Sequence, residues 1–155
     1  MHVSQPAALL LAMSLTITLG ACSRAESLDN TKAPTANVVA QQGIITNVSN
    51  AELQDLLDKG VTLVDIRRAE EWQETGVVAG SQRLTLFQGN GAVNANFLSD
   101  LKKIVPADKP VALICRTGNR TRAGSEMLTQ VGYTQVYNVT QGITGWIKEG
   151  RPVVR

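Results

Sequence analysis

Histidine is almost missing from this sequence: His2 is the only one in 155 residues. Cysteine is nearly as scarce, with Cys22 and Cys115 the only two. No His/Cys cluster has zinc-ligand spacing, so neither a metal nor another cofactor is expected. Nucleophilic chemistry, if there is any, must run without a histidine base, which excludes the usual Cys–His pairing. Aromatic residues make up 4% of the chain, too few for a platform on which bases stack. An excess of charge of one sign is missing too. The net charge is +2 with both signs interspersed, which points away from nucleic acid and from a basic membrane-binding surface. What the chain does have is a 43% hydrophobic fraction, enough for one domain with a real core and a tail beside it.

The N-terminus carries the first informative pattern. Ala7 to Ala21 is apolar and uncharged, too short for a comfortable spanning helix and suited to a signal-peptide apolar region. Leu19-Gly20-Ala21-Cys22 resembles a bacterial lipobox, with small residues just before a cysteine. The only departure is that no Lys or Arg precedes the apolar run. The resemblance implies a signal peptide over 1–21 and lipid attachment at Cys22, hence the lipid bilayer as a partner. Several acyl chains at one terminus anchor firmly, since each buried CH₂ adds about 0.8 kcal/mol. Ser23, with no Asp beside the cysteine, implies a periplasmic location on the outer membrane; the alternative is a soluble periplasmic protein. Residues 22–42 are mostly small and polar, and read as a lipidated N-terminus and flexible tether.

Residues 43–155 alternate between strand and helix patterns. Gly43-Ile44-Ile45 opens as an edge strand, and Ser49 with Glu52 offers a capping box. Leu53, Leu56 and Leu57 share one helical face, which Gly60 ends. Val61–Ile66 and Val111–Ile114 read as buried strands, and Gly80–Leu84 and Gln135–Val139 as two more. Helical stretches fall at Ala69–Thr75, at Asn96–Ile104 with Phe97, Leu101 and Ile104 inward, and at Arg120–Val131 with Ala123, Met127, Leu128 and Val131 inward. Ile143–Lys148 ends the series with Trp146 inward. Strands separated by helices predict an α/β domain over 43–155, with a central parallel β-sheet flanked by helices on both faces.

Cys115 is the candidate nucleophile. It follows a buried strand directly and opens Cys115-Arg116-Thr117-Gly118-Asn119-Arg120-Thr121. Ligand sites in open parallel sheets lie at the carboxyl ends of strands. Gly118 lets the backbone turn so that several N–H groups point into one cavity. The next helix adds its own unsatisfied N–H groups and positive dipole end. A thiolate in such an anion cradle is stabilised, and Arg116, Arg120 and Arg122 add positive charge nearby. An inert core cysteine needs no such loop. A disulfide to Cys22 is not expected, because lipidation leaves that residue no thiol.

The loop resembles the active loop of rhodanese domains, usually Cys-Arg-x-Gly-x-Arg-Ser. Leu63-Val64-Asp65-Ile66-Arg67 followed by Glu70-Glu71-Trp72 is similar to that family's Asp-x-Arg and Glu-Tyr/Trp. Gln141-Gly142-Ile143-Thr144-Gly145-Trp146, then Gly150-Arg151-Pro152-Val153, is similar to its closing segments. Gly76-Val77-Val78-Ala79-Gly80-Ser81 lacks the family's His, and Phe87–Asn96 is an unusual loop rich in Gly and Asn.

The resemblance implies sulfur transfer. Cys115 would take a sulfane sulfur from a thiosulfate-like anion as a persulfide and pass it to a thiol or cyanide-like acceptor. Backbone N–H groups of Arg116, Thr117, Gly118, Asn119 and Arg120 would hold the sulfur, and Arg116 would attract the donor. Arg120 would bond the loop or pair with Asp65, and Asp65 and Arg67 would support the loop from below. Glu70, Glu71 and Lys102 read as solvated charges, and Trp72 and Trp146 as core. Cysteine phosphatases space Cys and Arg by five residues, whereas four lie between Cys115 and Arg120. The alternative function is a membrane-tethered sulfur carrier or partner-binding module without turnover.

Overall fold

The computed structural model describes residues 43–155. The expected signal segment, Cys22 and the tether therefore lie outside the described residues. In chain order the elements are β1 (Ile44–Val48), α1 (Asn50–Asp58), β2 (Thr62–Asp65), α2 (Ala69–Thr75), β3 (Gln82–Arg83), α3 (Phe97–Ile104), β4 (Val111–Ile114), α4 (Asn119–Gln130), β5 (Gln135–Val139) and α5 (Gly142–Lys148). The strands form one sheet in the order β1-β5-β4-β2-β3, and every pair is parallel. This is the α/β domain that the alternation predicts.

The sheet is covered on both faces, and β4 shows how sequence sets this. Its side chains alternate between two separate cores. Val111 and Leu113 join Val64, Phe97, Leu101 and Leu128 under α3 and α4. Ala112 and Ile114 join Leu53, Val139, Ile143 and Trp146 under α1 and α5. A strand buried on both faces has no polar side, which is why β4 reads as an unbroken apolar run.

Local signals fix the element ends. The Ser49 N–H donates to Glu52 Oε2 at 2.7 Å and the Glu52 N–H donates back to Ser49 Oγ at 3.3 Å, closing the capping box at the start of α1. Trp146 is buried and donates from Nε1 to the Pro152 carbonyl at 2.9 Å. Val77, at the position of the missing histidine, is buried and bridges Val154 through hydrogen bonds in both directions, 2.9 and 2.8 Å. Packing, not titration, occupies that position.

Three inward assignments are corrected. Ile104 is exposed at the last position of α3, beyond the reach of the core. In α4 the inward face is Thr121, Gly124, Ser125 and Leu128, while Ala123 and Val131 are exposed. Thr121 faces the Cys115 thiol, and small side chains one turn on let the helix lie close to the sheet. The sequence pattern ranks residues by hydrophobicity and so misplaced a face built from small and hydroxyl side chains. Trp72, expected in the core, is only partly buried.

Candidate active site

The strand order places the site. From β2 the chain moves outward to β3, and from β4 it moves the other way to β5. Helices α2 and α4 therefore diverge, leaving a crevice at the carboxyl ends of β2 and β4, the position where open parallel sheets bind ligands.

Cys115 follows β4 at this point, with 1% of its surface exposed and its thiol free. Its Sγ accepts a hydrogen bond from the Gly118 N–H at 3.2 Å. The thiol also reaches Thr121 Oγ1 at 3.8 Å; the Thr121 hydroxyl in turn donates to the Gly118 carbonyl at 2.7 Å. The loop thus folds back on the sulfur. Gly118 makes this possible with φ +94°, and a Cβ there would stand 2.2 Å from the Thr140 carbonyl oxygen. Thr117 and Asn119 are exposed on the outer side of the loop. Asn119 opens α4, whose first-turn N–H groups have no acceptor within the helix.

The loop is also held from below. The Ile143 N–H donates to the Cys115 carbonyl at 2.8 Å and the Thr144 N–H donates to the Arg116 carbonyl at 3.1 Å. The N-terminus of α5 therefore uses its unsatisfied donors to fix the loop. Gly142 allows the close approach: its φ is +58°, and a Cβ would meet the Arg116 oxygen at 2.4 Å.

Two ion-pair groups flank the cradle. In the first, Asp65 and Arg67 are almost fully buried. Arg67 donates from Nε to Oδ1 at 2.9 Å and from Nη2 to Oδ2 at 2.6 Å. It also donates to Thr75 Oγ1 and to the carbonyls of Glu71 and Gly76. Arg67 thereby ties the end of β2 to the C-terminal turn of α2.

In the second group Glu71 is central, and this corrects two expectations. Arg120 pairs with Glu71 and not with Asp65. It donates from Nη1 to Oε2 at 2.6 Å and from Nη2 to Oε1 at 2.7 Å. Both oxygens of Asp65 are already taken by Arg67, so no acceptor is left there. Nor is Glu71 a solvated charge: it is 3% exposed. Arg116 donates from Nε to Glu71 Oε1 at 3.0 Å and from Nη2 to Glu74 Oε2 at 3.2 Å. The Arg68 N–H donates to Glu71 Oε2 at 3.1 Å.

The Arg120 hydrogen bonds, opposed by burial, hold the Glu71 carboxyl at about 2, with Arg68 and Arg116 adding to the effect. Glu71 likewise raises Arg120 above its ordinary value against opposing desolvation, and Cys115 contributes in the same direction. Arg120, paired with Glu71 through both Nη groups, is thus a fixed cation at the cleft. Glu71 was missed because a charged residue in a first turn usually faces water. Its place three residues after the N-cap was the available signal. Glu70 and Lys102 are exposed, as solvated charges would be.

Above the loop lies an open cleft of about 620 Å³. Arg68, Glu71, Arg116, Asn119 and Arg120 form its polar part beside Ala123 of α4, and Phe87, Gln88, Gly89 and Gly91 come from the segment after β3. The Gly/Asn-rich segment is a short hairpin in which Phe87 bridges Val93. Cys115 is buried and does not line the cleft itself.

Comparison with known proteins gives a consistent picture. The sequence model described as "Rhodanese-like domain" matches residues 49–149. The uncharacterised protein YibN of Escherichia coli K12 is 29% identical over 109 residues, covering 70% of this chain and 71% of YibN. The crystal structure of Rv0390 from M. tuberculosis superposes with a TM-score of 0.62 at 28% identity, covering 71% of this chain and 96% of that one. The 30 kDa polysulfide-sulfur transferase homodimer of Wolinella succinogenes shares the fold, with a TM-score of 0.57 at 24% identity over 71% of this chain and 78% of that one.

Proposed function

This chain belongs to the rhodanese-like domain family, and from that premise we propose that it is a sulfurtransferase working through a persulfide on Cys115. The observation that carries the reading is the thiol's seat. Sγ follows β4 and accepts the Gly118 N–H, in the loop whose Arg116 and Arg120 line the cleft and both pair with Glu71. Such a seat offers a backbone donor to an anionic persulfide formed on Cys115.

Each step balances. The Cys115 thiolate attacks the sulfane sulfur of thiosulfate, the new S–S bond forms, and sulfite leaves with the electron pair of the broken one. An acceptor nucleophile, cyanide or a thiolate, then attacks the terminal sulfur. The Cys115–S bond breaks and the thiolate returns. Arg116, half exposed at the cleft wall, meets the donor anion. Backbone N–H groups from Arg116, Thr117, Gly118, Asn119 and Arg120 hold the transferred sulfur. Asp65 and Arg67 act only through the position of α2. No cofactor takes part.

Intact mass spectrometry tests the reading. After thiosulfate treatment the protein gains one sulfur, localised to Cys115, and cyanide removes it as thiocyanate. No added sulfur together with no thiocyanate overturns the proposal. Sulfur that loads but does not turn over converts it to the carrier reading.

The cellular setting rests on the leader. We place the domain on the periplasmic side, anchored through acylated Cys22 in the outer membrane, with residues 22–42 as tether. The full chain made in a Gram-negative host should partition into detergent and fractionate with outer membranes, whereas Cys22→Ser should stay in the aqueous phase. Detergent partitioning by both forms would refute lipid attachment at Cys22.

A further inference from the structure

The cleft is larger than the inorganic anion assigned to it. At about 620 Å³ it falls within the range that encloses an organic ligand, and thiosulfate occupies a small part of that. Its two sides differ in chemistry. The polar side carries Arg68, Arg116 and Arg120; the hairpin side carries Phe87, Gln88, Gly89 and Gly91. The three cations are not equally available. Both Nη groups of Arg120 are spent on Glu71, and Arg116 is shared between Glu71 and Glu74. Arg68 Nε lies close to the Glu70 carboxylate but makes no hydrogen bond, and the two side chains are 36% and 64% exposed, where such an ion pair is weak. Among the described residues its Nη groups have no hydrogen-bond acceptor.

The facing wall is preorganised. The Gln88 N–H donates to the Ala92 carbonyl at 2.8 Å, and the Gly91 N–H to the Gln88 carbonyl at 2.9 Å. Asn94 donates from Nδ2 to the Thr85 carbonyl at 3.0 Å and from its backbone N–H to the Leu86 carbonyl at 2.8 Å. Phe87 packs partly buried against the core below. A small organic ligand can rest on this wall without first ordering it.

We propose that Arg68 and the Phe87–Val93 hairpin form the subsite of the sulfur acceptor, an organic thiol bearing a carboxylate. The inference rests on the Cys115 persulfide reading. The acceptor's carboxylate pairs with Arg68 Nη while its carbon chain lies on Phe87 and the glycines. Its thiolate attacks the terminal sulfur of the persulfide, the new S–S bond forms, and the electron pair of the old bond returns to Cys115 Sγ. The products are an organic persulfide and the resting thiolate, with no outside oxidant or reductant.

The test uses the full chain loaded with thiosulfate, and compares 3-mercaptopropionate with 2-mercaptoethanol, which differ in one carboxylate. Arg68→Gln lowers the ratio of their kcat/KM values about fivefold, the factor of a partly exposed guanidinium–carboxylate contact. Most of the loss appears in KM for the charged thiol, and Arg68→Lys restores part of it. Lys103→Gln, 74% exposed on α3 and outside the cleft lining, keeps the native ratio. An unchanged ratio in Arg68→Gln, or an equal fall in Lys103→Gln, overturns the subsite. Sulfur removed by cyanide but by neither thiol also overturns it while leaving the persulfide reading intact. Failure to load sulfur at all defeats both.

Discussion

Replacing Cys115 by serine is expected to remove thiosulfate:cyanide sulfur transfer completely, a fall of about 10³-fold or more to background, while the fold survives. The chemistry forces the first half. A serine hydroxyl is neither a thiolate at neutral pH nor able to hold a sulfane sulfur as a persulfide. Cys115 is the only cysteine among the described residues, and Cys22, acylated in this proposal, would carry no free thiol. The packing forces the second half. Serine is nearly isosteric, its Oγ can accept the Gly118 N–H that now meets Sγ, and Thr121 offers a second polar neighbour. The exchange places a hydroxyl in an otherwise apolar cluster and costs on the order of 1 kcal/mol. Steady-state thiocyanate formation with a parallel thermal melt reads both halves. Activity retained by a folded Cys115→Ser protein would sink the assignment.

Much of this arrangement was legible before the structure. The sheet could be read because β4 is buried on both faces and written as a short unbroken apolar run, and β2 lies in the β-branched run Val61–Ile66. Helix α1 could be read because Ser49 and Glu52 announce its start. The cradle could be read because a cysteine, a glycine and a helix in that order dictate backbone donors around a sulfur. What stayed hidden depends on distance in the chain. Nothing in the order of residues says that Glu71 meets Arg116 and Arg120, which lie 45 and 49 positions away. Asp65, already named in a motif, was the natural partner to choose for Arg120. Only the structure shows that Arg67 saturates it. The inward face of α4 was hidden for a different reason. Thr121, Gly124 and Ser125 are small or polar, and their burial follows from the loop that sets the helix's rotation, not from their hydrophobicity. The role of Gly142 was hidden as well. Its motif could be matched, but the contact of α5 with the Cys115 and Arg116 carbonyls belongs to tertiary packing.

Glu71 also governs how this domain should respond to acid. Its carboxyl is held at about 2 by Arg120, with Arg68 and Arg116 assisting, against the 4.5 of an unperturbed side chain. A depressed carboxylate contributes stability that is complete above the unfolded value and is lost as pH falls through the folded one. The contribution is on the order of 2–3 kcal/mol, and it disappears between about pH 4.5 and pH 2. Glu52 and Glu149 are also lowered, by Ser49 and by Arg151 respectively, but both are exposed, so the buried Glu71 dominates. Glu71→Gln should therefore lower Tm at pH 7 by on the order of 10 °C, because it leaves Arg120 partly buried without its counter-charge. The gap between native and variant should narrow steadily below pH 4.5 and close near pH 2, where the native carboxyl is protonated too. Thermal melts of both proteins across that range decide the matter. A gap that stays constant with pH would mean that Glu71 stabilises the loop by shape and hydrogen bonding alone, and that its charge is not what holds Arg116 and Arg120 at the cleft.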